Sequence, residues 1–167
     1  MIRGLNHVAI STGDLERAVA FYCDVLGFER VYGFSWEPGS PQADRLTGLT
    51  DSAARCAVLR LNHAVLELFE FTSPQGAPQD SNRPVCDHGL SHLSLDVTDI
   101  AAEYERLAKA GMRFHAPPMP GGENVMVAYG RDPDGNVIEL QEIQSPAHPM
   151  YHRFEALDAA GADKETT

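Results

Sequence analysis

Two histidines and two glutamates lie at matched places in this sequence, and their chemistry suits a metal site. His7 and His92 each fall in a segment whose apolar residues alternate with a period of two. Glu67 and Glu139 fall in later segments with the same alternation. Two imidazoles and two carboxylates are ligands for a divalent ion such as Ni, Co, Zn, Mn or Fe(II). Such an ion polarises a substrate carbonyl and stabilises an enediolate or enolate, while a ligand carboxylate takes the neighbouring proton.

A shift of 85 positions superimposes the opening segments of the two halves of the chain. It aligns His7 with His92 and Asp14 with Asp99. The segments LNHVAI and LSHLSL place each histidine on one face of a strand and apolar side chains on the other face. We therefore predict two copies of one unit, each opening with a strand that presents a histidine to a cavity.

The first unit is predicted to contain a strand, a helix and three further strands. Asp14 is a candidate N-cap and Gly27 a candidate C-cap of the helix. In the last strand Glu67 shares its face with Phe69 and Phe71, which puts a carboxylate on a mostly apolar face. The predicted bounds are strands 4–11, 28–32, 55–61 and 64–71, a helix over 15–26 and a loop over 33–54 with room for one helical turn.

The second unit repeats this order. Its helix begins after Asp99 and stops at Gly111, and the Asp-Pro-Asp-Gly segment at 132–135 is a strong turn signal. On the last strand Glu139 takes the place that Glu67 has in the first unit. The predicted bounds are strands 90–97, 112–115, 124–130 and 136–143, a helix over 100–110 and a Pro/Gly loop over 116–123.

Four segments make up the predicted domain organisation. A first module spans 1–72, a polar, proline-containing linker spans 73–87, and a second module spans 88–144. A polar, Ala-rich tail over 145–167 is predicted to hold one short helix. A chain of 167 residues with 43% hydrophobic residues is enough for the modules to share one core.

The composition excludes several classes of partner. The formal net charge of -11 and a pI of about 4.9 argue against nucleic acid and anionic membranes. No apolar run approaches the roughly 20 residues of a transmembrane helix, and the N-terminus has no signal-peptide pattern. Three cysteines without CxxC spacing argue against a disulfide framework or a thiolate zinc site. We expect a reducing, cytoplasmic setting.

Each candidate ligand also has a plain structural interpretation. The two histidines could be hydrogen-bonded core residues, and their equivalence in the repeat is what favours ligation. Glu67 could instead pair with Arg60 across the hairpin, and Glu139 could be an ordinary edge carboxylate. Glu70 and Glu142 are the neighbouring carboxylates, but the period of two places both on the opposite faces of their strands.

Other residues carry weaker signals. His88 has the same parity as His92 and is a candidate for the mouth of the cavity, whereas Cys56 is predicted to be buried filler. The candidates for an apolar pocket wall, each equally compatible with core packing, are Trp36, Phe69, Phe71 and Tyr129. The histidines to which we assign no role are His63, His115, His148 and His152.

Five segments carry a family resemblance. They are NHVAI at 6–10, AFY at 20–22 with LGF at 26–28, LEL at 66–68, SHLSL at 91–95 and DPDGNVIEL at 132–140. Together they make the chain resemble the vicinal oxygen chelate superfamily, which contains glyoxalases, bleomycin-resistance proteins and extradiol dioxygenases. The resemblance covers about residues 4–144, which is most of the chain.

The resemblance implies an α+β fold in which two βαβββ modules pair into an open, eight-stranded, barrel-like sheet with the helices outside. It also implies a homodimer in many members, and a site that binds one divalent metal ion. The family's four metal positions fall on His7, Glu67, His92 and Glu139 of this sequence. Glu67 or Glu139 would then also serve as the catalytic base.

Departures from the family's patterns limit the substrate. Glyoxalase I usually has an arginine four positions after its first ligand and an asparagine four positions after its second, and both serve glutathione. This sequence has Ser11 and Phe71 there, which argues against glutathione. Methylmalonyl-CoA epimerase is similar in size, but no motif here identifies coenzyme A.

Three functions follow as hypotheses. The first is a metal-dependent lyase or isomerase, glyoxalase-I-like or epimerase-like, acting on a small oxygenated substrate. The second is an Fe(II) extradiol-type dioxygenase, which resembles this fold but holds iron with two histidines and one carboxylate. The third is a non-catalytic protein that sequesters a ligand, although bleomycin-binding members generally lack the four metal ligands.

Overall fold

Two β-sheets, one from each half of the chain, form the framework of the molecule. The structure is a computed structural model that describes residues 1–151. The helix predicted in the tail falls largely on residues 152–167, outside the described part. Among the described residues no helix has the length and apolarity needed to cross a membrane.

The helices and strands follow the predicted order in both halves. Their bounds are β1 (Val8–Ser11), α1 (Leu15–Ala20) continued by a π-helical turn (Phe21–Val25), β2 (Glu29–Trp36), α2 (Pro41–Thr47), β3 (Ala53–Leu61), β4 (Ala64–Ser73), β5 (Leu93–Asp96), α3 (Ile100–Lys109), β6 (Arg113–Phe114), β7 (Met119–Gly122), β8 (Val125–Arg131) and β9 (Val137–Ile143). Asp14 and Asp99 cap α1 and α3, each accepting a hydrogen bond from a backbone N–H of the first turn.

The first sheet has the strand order β1-β4-β3-β2. β1 runs parallel to β4 and places Ala9 opposite Glu67, while β3 pairs antiparallel with both β4 and β2. One face of the sheet packs under α1 through buried side chains such as Leu66 and Leu68. The other face carries Glu67 and the residues of β4 that alternate with it, Val65, Phe69 and Phe71.

The second sheet has the strand order β5-β9-β8-β6, and β7 pairs with β8. β5 runs parallel to β9 and places Ser94 opposite Glu139, which is the same relation as in the first sheet. Ile138 and Leu140 lie on the buried face beneath α3. The repeat in the sequence therefore appears in the structure as two sheets built to one plan.

A single hydrophobic core joins the two halves. It contains Tyr22 from the first half and Leu107 from α3, both nearly inaccessible to solvent. The turn at 132–135 extends from the second sheet to the first half. There Asp132 accepts a hydrogen bond from the Tyr22 hydroxyl at 3.0 Å, and Asp134 accepts one from Thr12 at 2.5 Å. Burial, and then the neighbouring Asp132, raise the pKa of Tyr22, so the phenol stays protonated.

The predicted α+β class and the open arrangement of strands are confirmed, but several bounds differ. The described residues form nine strands in two sheets instead of one continuous eight-stranded sheet. β2 extends to Trp36, beyond its predicted end at residue 32, and the loop after it contains α2. β7 lies in the segment 116–123, which was predicted to be a loop. Pairing with β3 and β8 stabilises these Gly- and Pro-containing stretches as strands.

Candidate metal centre

The first His–Glu pair lies where β1 and β4 run side by side. Because Ala9 is opposite Glu67, His7 lies two residues before that position, on the same face of the sheet. The His7 Nε2 atom is 3.4 Å from Glu67 Oε2. The imidazole is 41% exposed and the carboxylate 16% exposed, so the pair opens to solvent at the surface of the sheet.

The second pair has the same construction. Ser94 is opposite Glu139, and His92 lies two residues earlier along the chain. The His92 Nε2 atom is again 3.4 Å from a glutamate oxygen, Oε2 of Glu139. This pair is less exposed, with 33% of the imidazole and 9% of the carboxylate accessible.

The other nitrogen of each imidazole contacts the side chain of the preceding residue. His7 Nδ1 is 2.9 Å from Asn6 Oδ1, and His92 Nδ1 is 2.9 Å from Ser91 Oγ. A carboxamide oxygen only accepts, so the Asn6 contact assigns the ring proton of His7 to Nδ1. The Nε2 atom of His7 then carries a lone pair that faces the Glu67 carboxylate. A hydrogen bond of this kind at the other ring nitrogen fixes the tautomer of a metal-binding histidine.

The separation within each pair fits two ligands of one ion. Two ligand atoms that each lie about 2.1 Å from a metal at a tetrahedral angle are about 3.4 Å apart. A lone pair facing a carboxylate at this distance is an arrangement that a cation between them stabilises. Each pair alone supplies two ligands, and within residues 1–151 no three His, Cys, Asp or Glu side chains converge as one metal site. A site with four ligands therefore requires the two pairs to face each other.

The surroundings of the second pair are polar. The Tyr129 ring meets the His92 ring edge to face at 5.3 Å. Burial, and then its hydrogen bond to Glu139 and the charge of that group, raise the pKa of the Tyr129 hydroxyl. Further along the same face, Arg131 Nε donates to His115 Nε2 at 3.1 Å, and burial followed by the charge of Arg131 lowers the pKa of His115.

The surroundings of the first pair are apolar and aromatic. Phe69 and Phe71 continue the face of Glu67 along β4, and Trp36 packs edge to face against both of them. Cys56 lies below these rings on β3, and burial followed by the charge of Glu67 raises the pKa of its thiol to about 12. The four residues predicted as a pocket wall therefore lie in two places. Trp36, Phe69 and Phe71 form one cluster of rings beside the first pair, and Tyr129 lies beside the second pair.

The neighbouring carboxylates take other partners, as their parity predicts. Glu70 pairs with Arg55 across the hairpin, and Glu142 accepts from the Asp99 backbone N–H at 2.8 Å. Glu67 lies against His7 and forms no ion pair with Arg60 among the described contacts.

A family model matches residues 4–140, and its description is "Glyoxalase/Bleomycin resistance protein/Dioxygenase superfamily". This chain belongs to that superfamily. The match covers the four candidate ligands and both sheets up to the middle of β9, ending just after Glu139.

Two curated relatives of this protein are named as epimerases. It is 36% identical over 118 residues to a 2-epi-5-epi-valiolone epimerase from Actinomyces sp., and the match covers 68% of this chain and 63% of the relative. It is 29% identical over 154 residues to an ethylmalonyl-CoA/methylmalonyl-CoA epimerase from Cereibacter sphaeroides, with 86% of this chain and all of the relative covered. The chain thus spans less than two thirds of the first relative's length.

The fold is also that of solved glyoxalase-family structures. A glyoxalase family protein from Bacillus cereus superimposes with a TM-score of 0.78, covering 87% of this chain and 97% of that one. The identity is 23%, so this likeness concerns the fold. The likeness in fold agrees with the two-sheet architecture of this protein.

Sequence reasoning missed several residues around the pairs. Tyr32 and Phe34 belong to the ring cluster, but β2 was predicted to end at residue 32. The alternation of Tyr32, Phe34 and Trp36 was a signal that could have extended the strand. Asn6 lay inside a quoted motif, but its role as a hydrogen-bond partner of His7 was not predicted.

Proposed function

We propose that this protein is a divalent-metal-dependent isomerase or lyase that transfers a proton at a carbon next to a carbonyl group. The observation that carries the proposal is the repeated pair, in which an imidazole nitrogen and a glutamate oxygen are 3.4 Å apart in each half. A single such pair is common in proteins. Two pairs at equivalent places in a repeat, each on the open face of its sheet, favour a shared ligand.

The proposed metal ligands are His7, Glu67, His92 and Glu139. The bound ion supplies Lewis-acid polarisation of a substrate carbonyl, which acidifies the adjacent C–H bond. Asn6 holds the ring proton of His7 on Nδ1 and keeps Nε2 available. Ni, Co, Zn, Mn and Fe all suit this ligand set.

Glu67 and Glu139 are the proposed catalytic carboxylates, one from each sheet. One carboxylate takes the proton from carbon, and the C–H electron pair moves onto the carbonyl oxygen. The electron pair then returns to carbon as a proton is delivered; in an epimerisation the donor is the other carboxylate, which starts the turnover protonated and ends it ionised. Two bases from different sheets suit a reaction in which the proton leaves one side of the carbon and arrives on the other.

The relatives support the isomerase side of this proposal. Two of them are named as epimerases, one of 2-epi-5-epi-valiolone and the other of ethylmalonyl-CoA and methylmalonyl-CoA. Epimerisation is the reaction that both names share.

The assembly proposed for the active protein is a homodimer. Each chain holds two pairs on two separate sheets, and the described residues do not gather them at one point. A second copy could bring the first pair of one chain opposite the second pair of the other, since closed symmetric dimers use the same surfaces twice.

The test is deuterium exchange at the α carbon, followed by proton NMR in D₂O with metal-loaded protein. Methylmalonyl-CoA and mandelate are suitable probes, since both carry a proton next to a carbonyl group. We expect exchange by the wild type, and a loss of at least about 100-fold in Glu67→Gln and in Glu139→Gln. Glu70→Gln and Glu142→Gln are matched controls on the opposite faces and keep the wild-type rate.

The unfolding midpoint of each variant separates loss of chemistry from loss of fold. Unchanged exchange in both active-face variants would refute the role of the carboxylates. Oxygen uptake with catechols, tolerant of Glu67→Gln, would instead support a dioxygenase. Ligand binding with no metal and no effect of His7→Ala or His92→Ala would support a sequestering protein.

A further inference from the structure

Five aromatic side chains form one connected surface on the first sheet, here called the ring surface. Tyr32, Phe34 and Trp36 follow one another along β2, stacked with centroids 6.3 Å apart at each step. Phe69 and Phe71 form a second row on β4, 5.9 Å apart. The rows meet edge to face, with the Phe34 and Phe69 centroids 5.9 Å apart.

Small side chains on the central strand allow the two rows to meet. Cys56 on β3 is opposite Phe34 on one side and Phe69 on the other. Ala54 has the next position on the same face. Both residues are almost fully buried, with 2% and 1% exposure. The rings therefore close over β3 and form a continuous aromatic layer above it.

The outer side of this layer is open. Tyr32 and Phe34 keep 55% and 42% of their surface exposed, although both are large and apolar. The Trp36 indole N–H donates to Ser52 Oγ at 3.1 Å, which satisfies its polar edge. Exposed apolar patches of this kind mark binding surfaces. A group that stacks on the layer gains aromatic contact without leaving the indole N–H unpaired.

The ring surface is continuous with the first His–Glu pair. Glu67 and Phe69 are two residues apart on β4 and share a face, so their Cα atoms are about 7 Å apart. Ala9 and Ser11 of β1 lie opposite them. A molecule whose oxygens reach Glu67 and His7 and that extends along β4 toward Phe69 lies over the ring surface.

We propose that the ring surface is a substrate subsite, and that the substrate carries an aromatic or other planar apolar group next to its oxygenated carbon. This inference rests on the proposed function, because it uses the His7–Glu67 pair as the place where the oxygens bind. The separation of about 7 Å along the strand matches a ring attached within one or two bonds of that carbon. Aryl-substituted hydroxy and oxo acids are the substrate class that fits.

Trp36 gives a direct readout, since it is the single tryptophan of the chain and belongs to the ring surface. The experiment titrates zinc-loaded protein with mandelate and with lactate while following tryptophan fluorescence and heat of binding. These two hydroxy acids have the same oxygens and differ in a phenyl against a methyl group. We expect saturable quenching by mandelate and a Kd at least about tenfold lower than for lactate.

Two variants test whether the preference for mandelate over lactate depends on the ring surface, and a third variant serves as control. Phe69→Leu removes the central ring, and Phe34→Leu removes an exposed one in case the first variant is unstable. Both are expected to reduce the mandelate-to-lactate preference by several-fold while leaving lactate affinity and metal content unchanged. Phe114→Leu is the matched control, because Phe114 packs on Tyr104 in the second half of the chain.

The outcomes separate this inference from the proposed function. Zinc bound normally, with equal affinity for the two acids or no binding of either, overturns the subsite and leaves the metal site standing. Wild-type protein that takes up no zinc but still prefers mandelate overturns the metal site and leaves the ring surface as a binding site for an aromatic group. Trp36 emission that changes with protein concentration and ignores mandelate shows that a second copy covers the rings, which also overturns the subsite.

Discussion

His7 and His92 differ in what fixes the ring proton. The Asn6 oxygen can only accept, so it holds the proton of His7 on Nδ1. The Ser91 hydroxyl beside His92 can donate or accept, so it allows either tautomer. A metal ion bound as proposed would therefore meet a prepared nitrogen at His7 and would select the tautomer at His92. At the scale of single residues, the first pair is the more strongly preorganised of the two.

The cysteines provide a test of the environment beside Glu67. Burial and the charge of Glu67 raise the pKa of Cys56 to about 12, whereas Cys86 is exposed. The raised pKa favours the neutral thiol in the fold, so this contribution to stability is present below the unfolded pKa and is lost as pH rises toward 12. Iodoacetamide at mildly alkaline pH should label Cys86 first and leave Cys56 unlabelled in native protein.

Peptide mapping by mass spectrometry after short labelling times measures the extent of labelling at Cys56 and at Cys86. Urea should make Cys56 as reactive as Cys86, since both thiols are then exposed. Labelling of Cys56 at the rate of Cys86 in native protein would contradict the buried thiol.

The four candidate ligands could be proposed from the sequence because the histidines align in the repeat, each glutamate lies on the last strand of its unit, and the period of two places each on one face of its strand. The contact between His7 and Glu67 could not be predicted in the same way. It depends on β1 lying parallel to β4 with Ala9 opposite Glu67, and periodicity within a strand carries no information about its partner.

At the scale of secondary structure, the order of strands and helices was predictable and some ends were not. Strong alternation and capping residues such as Asp14 and Asp99 marked the main segments. The predicted end of β2 lay four residues too early because Gly33 and Ser35 are typical of loops. In the structure a Cβ at Gly33 would lie 2.8 Å from the Cys56 carbonyl oxygen, so glycine is required by close approach of β3. That requirement comes from a distant segment and leaves no local signal.

The turn at 132–135 connects the halves, and its removal has a predictable cost. Asp134 accepts from Thr12 at 2.5 Å and pairs with Arg17, with its own side chain 16% exposed. Asp134→Asn removes the charge and places amide hydrogens against one of these donors. We expect the free energy of unfolding to fall by about 1–3 kcal/mol in urea titrations.

Asp24→Asn is the control for charge alone, because Asp24 is exposed and lies outside this contact. It should change the free energy of unfolding by less than about 0.5 kcal/mol. Equal stability of the two variants would show that the turn does not stabilise the junction between the halves.

At the scale of the whole molecule, one core holds two sheets, and each sheet carries one His–Glu pair, which is half of the proposed metal site. Tyr22 and Leu107 belong to the same core cluster, so the halves are packed together. The family model spans both of them. The composition predicted a shared core, but how the two His–Glu pairs meet depends on packing that repeat analysis does not determine.

Mixing two inactive variants tests whether the site forms between chains. His7→Ala and His92→Ala each disable both sites of a symmetric dimer. If each site combines one pair from each chain, a mixed dimer contains one intact site. Refolding an equal mixture should then restore about a quarter of wild-type α-proton exchange. A site within one chain gives no restoration, and size-exclusion chromatography confirms that mixed dimers formed.

Elemental analysis of the purified protein, beside a His7→Ala/His92→Ala double variant, tests the central claim most directly. A His63→Ala/His88→Ala variant matches the number of histidines removed and leaves both His–Glu pairs intact. We predict about one Ni, Co, Zn, Mn or Fe ion per chain in the wild type and in the control, and none in the double variant. A wild-type protein that holds no metal and takes none up on incubation, or a double variant that holds as much as the wild type, would contradict the metal site at the two His–Glu pairs.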